Sequence, residues 1–427
     1  METTKTIIRS PLTGDSYTQI RHKSGLNILV CEMDGFQTTQ ALFCTNYGSI
    51  HTRFKTADDV DFCTVPEGIA HFLEHKLFEN EDCDVFDLYA KTGANANAFT
   101  SFDKTCYFFD CSDHFQESLD ILLSFVQSPY FTPESVAKEQ GIIGQEIRMY
   151  DDDPGWRVFF NMLENLYHSH PVRIDIAGTV ESIAQITDDL LYRCYRTFYN
   201  LHNMVLVVAG KCTVDQVLES ADRLLKPCKD QKLETIFPNE PDSIVSPEVT
   251  ENAAVGQPLF HLGFKCTPRD DRDCLKQDLI ATLTNCILLS SSSPLYQSML
   301  QDGIINSSFS FENFYGSGYF TVFYSGSSDH PEAIRERITA AFAEAAKTGL
   351  DEELFQLHKK ATYGDFVRSL NNVSSVASSM LSAAFLHCSP YDTLDILSAV
   401  TIDDCNRFLR EELRPDRMVL STILPTK

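Results

Sequence analysis

The stretch GIAHFLEHKLFEN, Gly68–Asn80, places several titratable side chains in an otherwise apolar segment. Two histidines and two glutamates fall between His71 and Glu79. The remaining residues are mostly apolar, which predicts a largely buried helix: Ile69, Ala70, Phe72, Leu73 and Leu77. A buried imidazole pair beside a carboxylate is costly unless another group compensates for it, and a divalent ion would do so. The stretch therefore poses the choice between a metal site and a helix whose histidines are satisfied by hydrogen bonds.

The order of these side chains favours the metal site. With about 100° between successive residues of a helix, His71 and His75 lie about 40° apart on one face and can bind the same ion. Glu74 lies about 60° to the other side of His71, close enough to act on a water beside that ion. HxxEH is the inverse of the HExxH order of zinc peptidases, and both orders place a carboxylate next to the metal.

A third ligand is expected from another segment, because a catalytic zinc has three protein ligands and one open position. The best candidate segment is SVAKEQGIIGQEIRMYDDDPGW, residues 135–156. Glu139 and Glu146 are two helical turns apart and share a face. One of them can bind the metal, and the other can orient a histidine through its second ring nitrogen. The alternative interpretation of this segment is a pair of acids at a helix edge.

Composition excludes several classes of function. The chain has 427 residues, and its 60 acidic against 35 basic residues leave a formal charge of −25. This balance argues against sequence-independent binding of nucleic acid, which needs a basic surface, and against docking on anionic lipid. A hydrophobic fraction of 43% predicts a folded chain.

Targeting signals and cysteine usage predict a cytoplasmic protein. The N-terminal residues show no apolar core behind a basic start, and no apolar run reaches about 18 residues, so we expect neither a signal peptide nor a membrane span. The 14 cysteines are scattered without a CxxC pair, which predicts reduced thiols rather than a disulfide framework.

The chain divides into two regions of similar pattern. A polar, proline-rich stretch predicts a linker over residues 226–257, between domains at 1–225 and 258–427. Each region places a helix, Pro66–Phe78 or Leu275–Ser290, between strand-like runs and a later pair of helices. This order predicts an α+β fold in both regions.

A hairpin follows the first of these helices. GANANAFTSFDKTCYFF, residues 93–109, alternates apolar and polar residues and turns at Ser101–Lys104. A plain core hairpin would show the same pattern.

HFLEH, KEQGIIGQE and the NAFT stretch together resemble the active-site signature of the pitrilysin/insulinase family of zinc peptidases. The resemblance implies a zinc ion bound by His71, His75 and Glu146. It further implies Glu74 as the general base, and Glu139 as the acid that holds a histidine ligand in place.

The resemblance also implies a fold and a way of binding substrate. We expect two related α+β halves, each a mostly antiparallel sheet with packed helices, that together form half of a clamshell. In the family, the strand that carries Asn97 and Ala98 is an edge strand that pairs with the substrate backbone, a form of β-strand addition. The expected activity is zinc-dependent cleavage of short or unfolded peptides in an enclosed chamber.

The second half departs from the family pattern. Members of this size commonly carry an arginine and a tyrosine in a stretch that matches LYQSMLQDGIINSS, where this chain has Leu300 and Asn306. The second half also lacks HxxEH. The departure predicts a heterodimer in which a homologous subunit without HxxEH supplies the arginine and tyrosine, although a homodimer stays open. Two other functions stay open: a non-catalytic peptide-binding or structural subunit, and a dedicated maturase of one ribosomal peptide or partner protein.

Overall fold

The structure is a computed structural model that describes residues 2–81 and 84–426. The described strands are β1 Thr4–Arg9, β2 Ser16–Arg21, β3 Asn27–Glu32, β4 Thr39–Thr45, β5 Arg53–Lys55, β6 Cys63–Thr64, β7 Asn95–Thr100, β8 Thr105–Cys111, β9 Met204–Gly210, β10 Glu234–Thr235, β11 Glu248–Ala253, β12 Leu259–Cys266, β13 Ser310–Gly316, β14 Tyr319–Ser327 and β15 Met418–Pro425.

The helices in the described ranges are α1 Ile69–Leu77, α2 Val85–Thr92, α3 Phe115–Phe125, α4 Pro133–Asp151, α5 Pro154–Leu166, α6 Val180–Ile183, α7 Asp188–Phe198, α8 Val214–Leu224, α9 Asp271–Leu289, α10 Pro294–Gln301, α11 Pro331–Thr348, α12 Glu352–Ser369, α13 Val373–Phe385, α14 Asp392–Ala399 and α15 Ile402–Glu411. Within residues 2–81 and 84–426, every helix is too short or too polar to cross a bilayer.

The chain forms two compact units that interleave along the sequence. The first unit comprises residues 1–147, 175–236 and 366–392, and the second comprises 148–174, 237–365 and 393–427. Both combine a sheet with packed helices, which confirms the α+β class.

The first unit is built on a seven-stranded sheet in the order β1-β2-β3-β9-β4-β8-β7. Its strands are antiparallel except for the pair β3 and β9. Helix α13 covers one face, where Val376 and Met380 pack among buried side chains such as Val207. The opposite face receives α1 and α3. Phe78, directly after α1, and Phe125 of α3 contact Tyr107 of β8. Strand β7 is therefore an edge strand beside α1.

The second unit is built on a five-stranded sheet in the order β11-β15-β12-β14-β13. Helix α5 packs against β12 and β15. Gly263 of β12 permits this approach, because a Cβ atom there would lie 2.5 Å from the sulfur of Met162 in α5. The order β12, α9, β13, β14 repeats the helix-and-hairpin pattern of the first unit, as the sequence predicts.

The compact units differ from the consecutive segments 1–225 and 258–427 predicted from the sequence. Each unit takes one helix from a distant part of the chain: α5 covers the second sheet, and α13 covers the first. The predicted linker 226–257 is also more ordered than its composition indicates. Its strand β10 pairs with β5, and its strand β11 pairs with β15.

One cysteine pair also differs from the expectation of reduced thiols. Cys44 of β4 and Cys106 of β8 are directly opposite each other in the ladder, and their sulfurs are joined in a disulfide. Their Cα atoms are 4.1 Å apart. The sequence does not reveal this pair, because it depends on the register of two strands that are far apart in the chain.

Candidate metal centre

Helix α1 starts later than its sequence predicts. Pro66 suggests a first turn, but the helix begins at Ile69, because Gly68 adopts a left-handed conformation with φ of 83°. A Cβ atom at Gly68 would lie 2.3 Å from the carbonyl oxygen of Ala177. Glycine is therefore needed at position 68 both for the positive φ angle and to let the backbone of Ala177 approach closely. The apolar residues of α1 are buried as predicted, and they fix the face on which its polar residues lie.

The polar face of α1 carries the two histidines and the glutamate of HxxEH. His71 is 8% exposed, Glu74 is 9% exposed, and His75 is partly buried. The rings of His71 and His75 are neighbours, with centroids 4.5 Å apart. The one-turn spacing therefore places both imidazoles side by side, as the helix geometry predicts.

Helix α4 brings the two predicted carboxylates to these histidines. Glu139 Oε1 lies 3.0 Å from His75 Nδ1. A carboxylate can only accept in this hydrogen bond, so His75 donates from Nδ1, and the lone pair of its neutral form lies on Nε2. Glu146 lies two turns further along, with Oε2 3.5 Å from His75 Nε2 and Oε1 3.6 Å from His71 Nε2.

The residues fit a single zinc ion. One ligand atom each from His71, His75 and Glu146 lies within 4.8 Å of the other two, and this is the only such group of three among the described residues. Zinc bonds of about 2.0–2.2 Å in a tetrahedron place neighbouring ligand atoms about 3.4 Å apart, close to the distances between Glu146 and each histidine. The Nε2 atom of His71 faces Glu146, so this is the nitrogen that would bind the ion, and the buried Nδ1 has no hydrogen-bond partner among the described residues.

Burial and charge set the protonation of these groups. Burial, together with the charge of His75, lowers the pKa of His71 to about 3, so its imidazole is neutral and can bind a metal. Burial also raises the pKa of Glu74, although the nearby His75 and the hydroxyl of Thr100 oppose this rise. For His75, burial acts to lower the pKa, but the hydrogen bond to Glu139 and the charges of Glu74 and Glu146 outweigh it, so the pKa is raised.

Thr100 is the site residue that the sequence does not reveal. It is the last residue of β7, and its hydroxyl donates to Glu74 Oε2 at 2.9 Å. The alternation of β7 does place Thr100 on the same face as Ala96 and Ala98, a signal that it faces α1. Which polar group it meets there depends on how the hairpin packs on the helix.

Strand β7 presents a free edge on the side away from β8. The Ser101 N–H donates to Lys104 at the hairpin end, so alternate residues of β7, including Asn97 and Phe99, exchange hydrogen bonds with β8. The Ala98 N–H points the other way and donates to the side-chain oxygen of Asn97 at 2.8 Å. The structure thus places Ala98 at a sheet edge, while the Asn97 side chain is exposed and bonds its own backbone.

His168 and His170 belong to the second unit and have structural partners. His168 lies 3.2 Å from the Ser243 hydroxyl, and His170 accepts from the Val172 N–H at 3.1 Å. His170 is buried at 1% exposure and also contacts the Ser317 carbonyl. These contacts show that both histidines have hydrogen-bond partners within the second unit.

An HxxEH helix packed on a sheet beside a glutamate-bearing helix is the arrangement of the inverzincin class of zinc peptidases. The model of the insulinase family, peptidase family M16, matches residues 65–180, and the model described as the peptidase M16 inactive domain matches residues 185–362. The chain belongs to peptidase family M16, as its resemblance to pitrilysin and insulinase predicts.

Individual relatives agree with this assignment. The chain is 40% identical over 411 residues to the uncharacterized zinc protease YmfH of Bacillus subtilis, covering 94% of this chain and 95% of that protein. It is 33% identical to a putative M16-like peptidase from Alicyclobacillus acidocaldarius, with a TM-score of 0.91 and coverage of 100% and 99% of the two chains. Pitrilysin shares the fold, with 16% identity and a TM-score of 0.76, and this chain matches 46% of its length.

Proposed function

We propose that the protein is a zinc-dependent metalloendopeptidase that cleaves short or unfolded peptides. The observation that carries this proposal is the convergence of His71, His75 and Glu146 next to a buried Glu74. In addition, relatives such as the B. subtilis protein are named zinc proteases.

Each residue of the centre has a distinct chemical role in this proposal. A bound zinc ion supplies a Lewis acid that polarises the scissile carbonyl and lowers the pKa of a water to about 7. His71, His75 and Glu146 hold the ion. Glu139 keeps His75 in the tautomer that leaves Nε2 free to bind.

Glu74 acts as the general base. Its carboxylate accepts a proton from the attacking water and passes it to the amine that leaves, a role typically worth about 10²–10⁴ in rate. Burial, which raises its pKa, makes the carboxylate a better proton acceptor than an exposed glutamate.

The free edge of β7 suggests how a peptide is held. An extended peptide can pair with the outward N–H and C=O groups of β7, including those of Ala98, and main-chain hydrogen bonds then provide affinity with little dependence on sequence. Such pairing requires an extended segment, which favours unfolded peptides over folded proteins. Asn97 contributes by releasing the Ala98 N–H to the substrate.

A second subunit completes the site in this proposal. Leu300 is partly exposed on α10, and Asn306 donates to the Ser327 carbonyl at 2.9 Å, so neither supplies a charged group or a phenol for the oxyanion. We propose a homologous subunit without HxxEH that supplies an arginine and a tyrosine and closes an enclosed chamber in the manner of a clamshell. The match to about half of pitrilysin supports this pairing. A homodimer is the other arrangement, and the cytoplasmic location stays a prediction.

Two other functions compete with this one. A non-catalytic peptide-binding subunit has no need of a base beside its metal ligands, and Glu74 is in place. A maturase dedicated to one ribosomal peptide or one partner protein would use the same residues, so only its substrate range distinguishes it from a general peptidase.

Metal analysis combined with a cleavage assay tests the proposal. The protein, purified without chelators, should contain one zinc per chain and cleave unfolded fluorogenic peptides, with a faster rate when a homologue lacking HxxEH is co-expressed. The variant His71→Ala is the matched control and should lose both zinc and activity. Absence of zinc would refute the metal centre, and zinc without cleavage in either sample would favour the binding subunit. Full activity of the single chain, unchanged by the homologue, would refute the heterodimer.

A further inference from the structure

We propose that Thr100 is a positioning residue that holds the Glu74 carboxylate at the angle required for proton transfer. This inference rests on the proposed peptidase function, because it assigns a role to the base of that reaction. It concerns the orientation of Glu74, and not the binding of metal by its neighbours.

The contact is direct and joins two elements. Thr100 Oγ1 donates to Glu74 Oε2 at 2.9 Å, between the end of β7 and the middle of α1. A hydroxyl bound to a carboxylate is a charge-assisted hydrogen bond, which is stronger than a bond between neutral groups. Glu74 is 9% exposed, so little water is available to replace this donor.

The neighbouring hydroxyl leaves the proton of Thr100 free for Glu74. Thr105 Oγ1 lies 2.8 Å from the Tyr47 carbonyl oxygen and 3.4 Å from Thr100 Oγ1. The shorter contact takes the single proton of Thr105, because a carbonyl can only accept. Thr100 therefore donates to Glu74, and this bond engages Oε2 rather than Oε1.

The scaffold around Thr100 is rigid. Its β-branched side chain has few χ1 rotamers, and its backbone is opposite Thr105 in the ladder. The following turn is closed by the Ser101 N–H, which donates to Lys104, and by the Ser101 hydroxyl, which donates to Asp103. A donor held this firmly restricts the carboxylate to one orientation, and such pre-organisation lowers the barrier to proton transfer.

Strand β7 thus has two functions in one hairpin. Ala98 presents its backbone to the peptide, and Thr100, two residues later on the same face, holds the base. Loss of the Thr100 hydroxyl should change the chemical step and leave peptide binding intact, because the main-chain edge is unaffected. A purely structural role for Thr100 would instead change binding, zinc content and stability together.

The test compares Thr100→Val, which keeps the shape and removes the donor, with Thr100→Ser, which keeps the donor. Thr39→Val is the matched control: its hydroxyl donates to the Lys211 carbonyl at the far end of β4 in the same sheet. We expect Thr100→Val to retain one zinc per chain and a KM within about twofold, while kcat falls at least about 10-fold, the effect of losing a charge-assisted hydrogen bond. Thr100→Ser should recover most of kcat, and Thr39→Val should keep it.

Crystal structures provide a readout that does not depend on activity. In Thr100→Val the Glu74 carboxylate should leave its position or occupy several conformers, with His71, His75 and Glu146 unmoved. A single, unchanged Glu74 conformer would overturn the proposal, as would an unchanged kcat or a joint loss of zinc and kcat. If the wild-type protein cleaves no peptide but Glu74 still moves in the variant, the positioning role stands and the peptidase function fails.

Discussion

Glu74 and Glu139 are both buried acids beside His75, but their surroundings give them different roles. Glu139 receives a hydrogen bond from the histidine, whereas Glu74 receives one from Thr100 and lies beside the ligand cluster. Removing each carboxylate should therefore affect different properties of the protein, one the binding of metal and the other the chemical step.

The variant Glu74→Gln should keep zinc and lose turnover, because an amide cannot accept the proton of the attacking water. We expect kcat to fall by about 10²–10⁴ with zinc content unchanged. Peptide cleavage and metal analysis of the same sample measure this. The exposed Glu117 of α3 provides the matched control, and Glu117→Gln should behave as the wild type. A Glu74→Gln variant with wild-type kcat would contradict the role of base.

The variant Glu139→Ala should weaken zinc binding about 10–100-fold, because His75 loses the acceptor that fixes its ring and tautomer. Competition with a chromogenic chelator measures the dissociation constant. Glu139→Gln should weaken zinc binding less, because its amide oxygen can still accept a hydrogen bond from His75 Nδ1. Equal affinity of all three proteins for zinc would show that the hydrogen bond to Glu139 does not support the ligand.

At the scale of elements, the edge of β7 can be tested with proline. Ala98→Pro removes an N–H that faces away from β8, so the sheet should tolerate it. We expect a KM at least about threefold higher, from the loss of one main-chain hydrogen bond to the peptide, at an unchanged unfolding temperature. Asn97→Pro removes an N–H bound to β8 and should lower that temperature. If Ala98→Pro leaves KM unchanged, the peptide does not pair at this edge.

The start of α1 gives a prediction about stability. Gly68→Ala should lower the free energy of unfolding by at least about 1–2 kcal/mol, because alanine is strained at positive φ and its Cβ would clash with the Ala177 carbonyl. Gly141 lies at an exposed position in the middle of α4, with nothing within 4 Å of the new Cβ. Gly141→Ala should therefore raise the free energy of unfolding by about 0.5–1 kcal/mol. Urea unfolding of both variants measures the difference, and two effects of the same sign would contradict this account of Gly68.

Local patterns predict the elements of this fold better than its long-range contacts. The spacing of HxxEH and of Glu139 and Glu146 identifies the candidate ligands, because each pair lies on one helix with a fixed period. The role of Thr100 cannot be predicted in this way, because the residue that it contacts, Glu74, lies on another element. The packing of α13 on the first sheet cannot be predicted in this way either. Sequence periodicity shows that a helix has an apolar face, but it does not show which sheet that face packs against.

At the scale of the whole molecule, the metal should contribute to stability. A ligand that binds only the folded state stabilises it by about 2.7 kcal/mol when its free concentration is about 100 times Kd. Treatment with a chelator should therefore lower the thermal unfolding temperature and abolish cleavage, and added zinc should restore both. Differential scanning calorimetry measures the shift. His71→Ala should show no response to the chelator, and an equal response of both proteins would mean that the chelator acts elsewhere.

The interleaving of the two units has a consequence for how the protein is made. The three residues proposed to bind zinc are all present once Glu146 has been synthesised. The sheet behind them is covered by α13 only when residues 373–385 have left the ribosome. Until then, the apolar face formed by residues such as Leu42 and Val207 has no helix to cover it. We therefore expect the nascent N-terminal segment to bind chaperones, and no single contiguous segment of the gene encodes the first unit.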